Sequence, residues 1–245
     1  MPLRLLVDEP AAAAWNMAVD EALLVLATEP TLRLYGWRPH AVSLGWFQRA
    51  ADFADLPPGT DVVRRLTGGG AIHHGDELTF ALVLDADRLP RDVGASYRLL
   101  HDAAVTALGE LGVDCARLEK GEPPSARPTD RWCFAVPGRD DVVTARGKLL
   151  GSAQRRVQRP EGARVLHHGS LVLQRPALTP WVAAAADSGA CDGPFAERLR
   201  TRLATGFAAA LGLELRPGRR TGPEDALARE LQEGRYRQPA FTRQR

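Results

Sequence analysis

Thirty of the 32 basic residues in this 245-residue chain are arginine; the two lysines are Lys120 and Lys148. A chain with that bias puts arginine wherever a plain positive charge suffices. Arginine is a planar, permanently charged fork, whereas lysine is a compact charge on a slim stem that reaches into narrow spaces. Lys148 opens the run Gly147-Lys148-Leu149-Leu150-Gly151-Ser152-Ala153-Gln154-Arg155-Arg156 and follows Cys133 by fifteen residues. A cation that can approach a cysteine favours the thiolate, which is the nucleophile. The competing expectation is a lysine on a solvated hairpin, and spacing alone weighs the two evenly.

Three glycines, Gly68, Gly69 and Gly70, come directly after a strand-like run in Arg64-Arg65-Leu66-Thr67-Gly68-Gly69-Gly70. Glycine lets backbone approach a ligand closely and exposes N–H donors. No Gly-Lys-Ser/Thr closes the run and no GxGxxG stands there, so neither a Walker loop nor a dinucleotide fingerprint is read. A bare glycine triplet is more often a tight bend; Arg65 and the pair His73-His74 on either side raise its weight. A second pair lies in Leu166-His167-His168-Gly169-Ser170-Leu171. Neighbouring strand side chains point to opposite faces, so each pair offers one metal ligand at most, and no metal is expected.

Elements must carry these residues to one place. Strands are expected at 3–7, 61–66, 79–84, 113–118, 141–144, 148–154 and 165–173, and an amphipathic helix at 11–27. Runs 32–37 and 41–46 read as a hairpin around Arg38-Pro39-His40. Helices are expected at 97–111, ended by Gly112, at 195–211 and at 224–232, with a proline-bearing loop at 119–130. Hairpins mixed with helices, without regular strand–helix alternation, argue for an α+β fold.

Composition bounds the rest. With 25% charged and 44% hydrophobic residues the chain reads as an ordinary globular protein able to bury its own core. A net charge of +2 is too small to argue for nucleic acid or an anionic membrane as partner. Three scattered cysteines form no disulfide framework, and no CxxC or Cys/His cluster suggests zinc. The N-terminus lacks a signal-peptide pattern and no uncharged stretch is long enough to span a bilayer. A cytoplasmic location is expected.

Taken together, Arg-x-Thr-Gly-Gly-Gly followed by His74, then Gly-Lys-x-x-Gly-Ser-Ala-Gln-Arg-Arg, then His-His-Gly-Ser, resembles the lipoate/octanoate branch of the biotin–lipoate protein ligase superfamily. Asn16-Met17-Ala18-x-Asp20-Glu21 resembles the family's N-terminal helix. Tyr35-Gly36-Trp37-x-Pro39 with Ser43-x-Gly45 and Gln48 resembles its first hairpin. The resemblance runs through nearly the whole chain. It implies a mixed, largely antiparallel sheet with flanking helices in a single domain over 1–245, with a catalytic core of about 27–213 and a helical tail at 214–245. It implies a tunnel for a medium-length acyl chain, with Arg65, Gly68, Gly69, Gly70, His74, Gly151, Ser152, Ala153, His168 and Gly169 as acyl and substrate contacts. Lys148 is implied to point at the acyl carbonyl, where a cation stabilises developing negative charge.

The family contains two chemistries. Ligases activate free lipoate with ATP and need no cysteine. Octanoyltransferases take octanoate from acyl carrier protein through a cysteine thioester and need no cofactor. Cys133-Phe134-Ala135-Val136-Pro137 upstream of Lys148, and Glu77-Leu78-Thr79-Phe80 after the glycine run, are similar to the transferases. Gly138-Arg139-Asp140-Asp141 is similar to the ligases instead, and Gly75 stands where an aspartate commonly follows the family histidine. Cys191 is a rival nucleophile without the Pro-Cys-Gly context of a second transferase group, and Cys115 is expected to be core packing. The expectation is therefore an octanoyltransferase with Cys133 and Lys148 as catalytic residues. Its partners would be octanoyl-acyl carrier protein and, as acceptor, a lipoyl domain or glycine-cleavage H protein. Alternatives are an ATP- and Mg-dependent lipoate or octanoate ligase, a lipoyl amidotransferase, and a non-catalytic subunit that presents lipoyl domains.

Overall fold

The computed structural model describes residues 1–121 and 128–244, so 122–127 of the expected loop lie outside the described residues. Within them the chain runs β1 (Pro2–Val7), α1 (Ala13–Leu26), β2 (Thr31–Tyr35), β3 (Ala41–Leu44), β4 (Asp61–Arg64), β5 (Ile72–His74), β6 (Glu77–Asp85) and α2 (Val93–Gly109). It continues through β7 (Ala116–Arg117), β8 (Val142–Thr144), β9 (Gly147–Val157), β10 (Arg164–Val172), α3 (Phe195–Ala210), β11 (Glu214–Pro217), α4 (Gly222–Leu231) and α5 (Pro239–Thr242). One sheet has the order β11-β1-β2-β6-β10-β9-β8-β7, and a smaller one has the order β4-β3-β5. In the large sheet β1 pairs in parallel with β2 and β11, and the remaining pairs are antiparallel. This is the mixed, largely antiparallel α+β arrangement that the sequence implied.

Period-two alternation sorts the central strands onto two faces. Leu32 and Leu34 of β2, Leu78, Phe80, Leu82 and Leu84 of β6, and Val165 and Leu171 of β10 pack with Leu100, Ala104 and Leu108 of α2 and Leu203 and Phe207 of α3. On the other face Tyr35, Ala81, Val83 and Leu166 meet Met17, Ala18, Ala22 and Leu23 of α1, with Ala228 of α4 and Tyr236 behind. Helix α2 begins earlier than expected because Asp92 caps it, accepting from the Ala95 N–H at 2.7 Å. Helix α4 begins with a reciprocal cap between Thr221 and Glu224 and a proline in its first turn. No described helix is long and apolar enough to cross a membrane.

Three expectations need correction. The runs at 32–37 and 41–46 are not a hairpin: β2 sits between β1 and β6, so both its edges are occupied, and β3 crosses to the small sheet. Only Ala116 and Arg117 of the 113–118 run pair as a strand. The segment 214–245 opens not as helix but as β11, which extends the large sheet beside β1 before the chain turns into α4.

Candidate active site

Lys148 is 5% exposed, so it is not on a solvated hairpin. The reason lies in a β-bulge. Val142 and Val143 of β8 are consecutive, yet they pair with Leu150 and Lys148 of β9, leaving Leu149 as an extra residue. Lys148 and Gly151, three apart, would face opposite ways on a regular strand; the extra residue turns them to one side. Both Leu149 and Leu150 are thereby buried in the core cluster under α2 and α3. The lysine stem then crosses Gly151 so closely that a Cβ there would stand 2.2 Å from Cε and 2.5 Å from Nζ. Only glycine leaves that path open.

At the end of the stem Nζ donates to Cys133 Sγ at 3.3 Å and pairs with Asp141 Oδ2 at 2.8 Å. The Phe134 ring lies 5.3 Å from Nζ. Burial alone would discharge this lysine, but its contacts with Cys133 and Asp141 outweigh it and raise its pKa above the ordinary value. It is a lasting cation. Asp141 is aimed by its neighbour Asp140, a non-glycine residue in the left-handed region at φ 71°. That conformation is costly and survives where surroundings hold it. Arg98 and Arg117 hold the Asp140 carboxylate at 3.3 and 3.1 Å, its N–H donates to Leu118 O at 2.8 Å, and its carbonyl accepts from His101 Nδ1.

Cys133 is placed by the glycine run. Ala71 pairs with Trp132, and the Cys133 N–H donates to Ala71 O at 2.8 Å. A Cβ at Gly70 would come within 2.8 Å of Cys133 N, so the bare backbone of Gly70 seats the cysteine strand. Gly69 has φ +93°, which side chains rarely adopt, and Gly68 and Gly69 form the cleft wall. Arg65, 3% exposed, binds the loop it opens: one end of its guanidinium donates to Gly68 O and Gly70 O, both at 2.7 Å, the other to Ser43 O at 3.0 Å.

The histidine pairs split across their strands. His74 stacks on Trp37 with ring centroids 3.7 Å apart and holds Glu77 Oε1 and Ser43 Oγ, each at 2.8 Å. Burial lowers its pKa despite Glu77, so the ring is neutral, donating from Nδ1 and accepting at Nε2. His168 approaches Thr67 Oγ1 at 2.6 Å and Asp20 Oδ2 at 3.4 Å. Asp20 also takes Arg33 Nη1 and Tyr35 Oη, both at 2.8 Å. His73 instead accepts from the Leu178 N–H, with its pKa lowered to about 4 by burial and by its histidine neighbours. His167 lies on the α2 side, where its Nε2 and that of His101 both meet Ser152 Oγ at 2.8 Å.

These groups surround a narrow cleft. Of the residues expected to contact substrate, Arg65, Gly68, Gly69, His74, Cys133, Gly151, Ser152, Ala153, His168 and Gly169 line it. Gly70 stands behind Cys133, and Lys148 enters beneath Gly151. Met17, Tyr35, Trp37, Thr79 and Ser170 also line the cleft without having been assigned to it from sequence. Asp141 was missed as well; its signal was the Gly138-Arg139-Asp140-Asp141 run, read only for its likeness to ligases. The other two cysteines sit in unfavourable surroundings. Burial and Asp114 push the Cys115 thiol up to about 11, and burial with Asp192 and Asp187 raises that of Cys191.

Residues 12–178 match the lipoyl protein ligase A/B catalytic domain. Octanoyltransferase LipM of Kyrpidia tusciae is 37% identical over 93% of this chain and 94% of its own, and that of Symbiobacterium thermophilum is 34% identical over 90% of each. Among solved structures, Ta0514, a putative lipoate protein ligase from T. acidophilum, superposes with a TM-score of 0.81 at 27% identity over the whole of both chains. A lipoate-protein ligase A bound with ATP gives a TM-score of 0.79 at 25% identity over 99% of each. The chain belongs to the lipoyl protein ligase A/B catalytic-domain family and, within it, is an octanoyltransferase of protein lipoylation.

Proposed function

We propose that this chain carries octanoate from acyl carrier protein to a lysine of a lipoyl domain or glycine-cleavage H protein by way of a thioester on Cys133. The observation that carries the reading is the Lys148 ammonium, held 3.3 Å from Cys133 Sγ inside the cleft. A fixed cation there favours the thiolate and stabilises negative charge on the acyl oxygen. Cys133 attacks the carrier thioester, and the carrier thiol leaves. The acceptor amine then attacks the octanoyl-enzyme, releasing Cys133 and forming the amide. Gly68, Gly69 and Ala153 leave room for the acyl chain, Gly151 and Gly169 give their side-chain space to Lys148 and Phe80, and Arg65, His74, Ser152 and His168 hold the walls through the bonds described above. No cofactor enters this sequence; ATP and Mg belong to the ligase alternative. We further propose a single cytoplasmic domain, with 27–213 as its catalytic core and 214–245 closing it.

Mixing the protein with octanoyl-acyl carrier protein and recording intact mass tests the reading. An added octanoyl mass without ATP, removed by hydroxylamine, is the expected result. Modification of a lipoyl domain that strictly requires ATP and free octanoate would establish the ligase chemistry instead.

A further inference from the structure

Ser170 is 2% exposed, lines the same cleft as Cys133, and its hydroxyl has no hydrogen-bond partner among the described residues. A buried hydroxyl without a partner is costly, and such groups in native folds call for an explanation. The sheet register supplies one. Ser170 of β10 lies directly opposite Gly151 of β9. Side chains so paired have Cβ atoms about 4.5–5.5 Å apart. The place of a Gly151 side chain is taken by the end of Lys148, whose Nζ is 2.5 Å from where that Cβ would be. The Lys148 ammonium is thus the cross-strand neighbour of the Ser170 hydroxyl. Two donors on facing residues of paired strands can both reach one oxygen placed between them.

Lys148 has a donor to spare. Its ammonium carries three N–H groups, of which one points to Cys133 Sγ and one to Asp141. We infer that Ser170 is a catalytic residue: its hydroxyl, with Lys148, binds the oxyanion that forms on the acyl carbonyl when Cys133 is acylated and again when it is deacylated. The inference rests on the thioester reading above. In the first half-reaction the Cys133 sulfur lone pair forms the S–C bond and the carbonyl π pair moves to oxygen. That pair then returns, the bond to the carrier sulfur breaks, and the departing thiolate takes a proton from water. In the second, the acceptor amine adds to the same carbon, loses a proton to water, and Cys133 leaves as thiolate. Ser170 keeps its proton throughout and contributes only a hydrogen bond aimed where charge develops.

The test separates oxyanion binding from cysteine placement, because alkylation by iodoacetamide passes through no carbonyl oxyanion. In Ser170→Ala, single-turnover formation of octanoyl-Cys133 from octanoyl-acyl carrier protein should slow by about 100-fold, the usual loss for one oxyanion donor. Iodoacetamide should alkylate Cys133 at the wild-type rate, and the melting temperature should not fall. Ser170→Thr, which keeps the hydroxyl, should recover most of the acylation rate. Wild-type acylation in Ser170→Ala would overturn the inference, as would a parallel loss of alkylation, which would assign Ser170 to packing. Absence of octanoyl-Cys133 in the wild-type protein itself would overturn the thioester reading, and the inference with it.

Discussion

The two faces of strands β6, β10 and β9 are built from different chemistry. Toward α2 and α3, Leu78, Phe80, Leu82, Leu84, Val165 and Leu171 are all but fully buried, and Phe80 meets Phe207 edge to face at 4.9 Å. Toward the cleft, the buried Glu77, Thr79, Lys148, His168 and Ser170 of these strands are polar, and Arg65 and His74 join them from the glycine run and β5. Burying polar groups costs free energy unless they are hydrogen-bonded, and most of these are tied into chains such as Trp37–Thr79–Glu77–His74–Ser43. The α2–α3 face is largely apolar, whereas on the other face Ala81, Val83 and Leu166 pack on α1 beside the polar cleft. Ser170, on the polar face, has a buried hydroxyl with no partner among the described residues.

If that division holds, changes on the polar face should remove turnover and spare the fold, and changes on the apolar face should do the reverse. The largest loss is expected from Lys148→Ala. It removes the cation and should cut octanoyl transfer by about 1000-fold, the upper range for loss of an oxyanion stabiliser. Lys148→Arg keeps the charge but puts a broad fork where only a slim stem fits, so transfer should still fall by about 100-fold. Both variants should also alkylate Cys133 more slowly with iodoacetamide. Wild-type transfer by either would place the cation's role elsewhere.

Gly151→Ala comes next. Its Cβ would displace the flexible end of Lys148 and no backbone, so the protein should fold while the ammonium shifts off Cys133. A misplacement of about 1 Å can cost about 100-fold in rate, and a loss of up to that size, measured with melting temperature unchanged, is expected. Full activity would show that the lysine does not need this path. The smallest effect on turnover is expected from Phe207→Ala. It should cost about 3–5 kcal/mol in chemical denaturation while transfer per folded molecule stays near wild type. A catalytic defect larger than its stability defect would break the comparison between the faces.

The sequence displayed these two faces unequally. Alternation in β6 and β10 and the periodicity of α1, α2 and α3 were visible because each is local. The pairing of β3 was not, because what excludes it from β2 is that β1 and β6 already hold both edges. β5 escaped notice as three residues after a glycine run, and β11 because its partner β1 lies more than two hundred residues away. At the site, the rarity of lysine singled out Lys148, and the glycine triplet and histidine pairs marked two walls. Nothing local foretold the bulge at Leu149 that turns Lys148 over Gly151, since it exists only against β8. Asp141 and Ser170 were hidden for the same reason: each matters through a residue on a neighbouring strand.

The reactive pair itself is best tested by mapping the octanoyl group. Proteins retaining only Cys133 (Cys115→Ser with Cys191→Ser) and only Cys191 (Cys115→Ser with Cys133→Ser) would be mixed with octanoyl-acyl carrier protein without ATP. Each would then be digested and sequenced by mass spectrometry. The account predicts octanoyl thioester on Cys133 in the first protein at the wild-type rate and none in the second. Octanoyl on Cys191, or unimpaired transfer by the protein lacking Cys133, would contradict it.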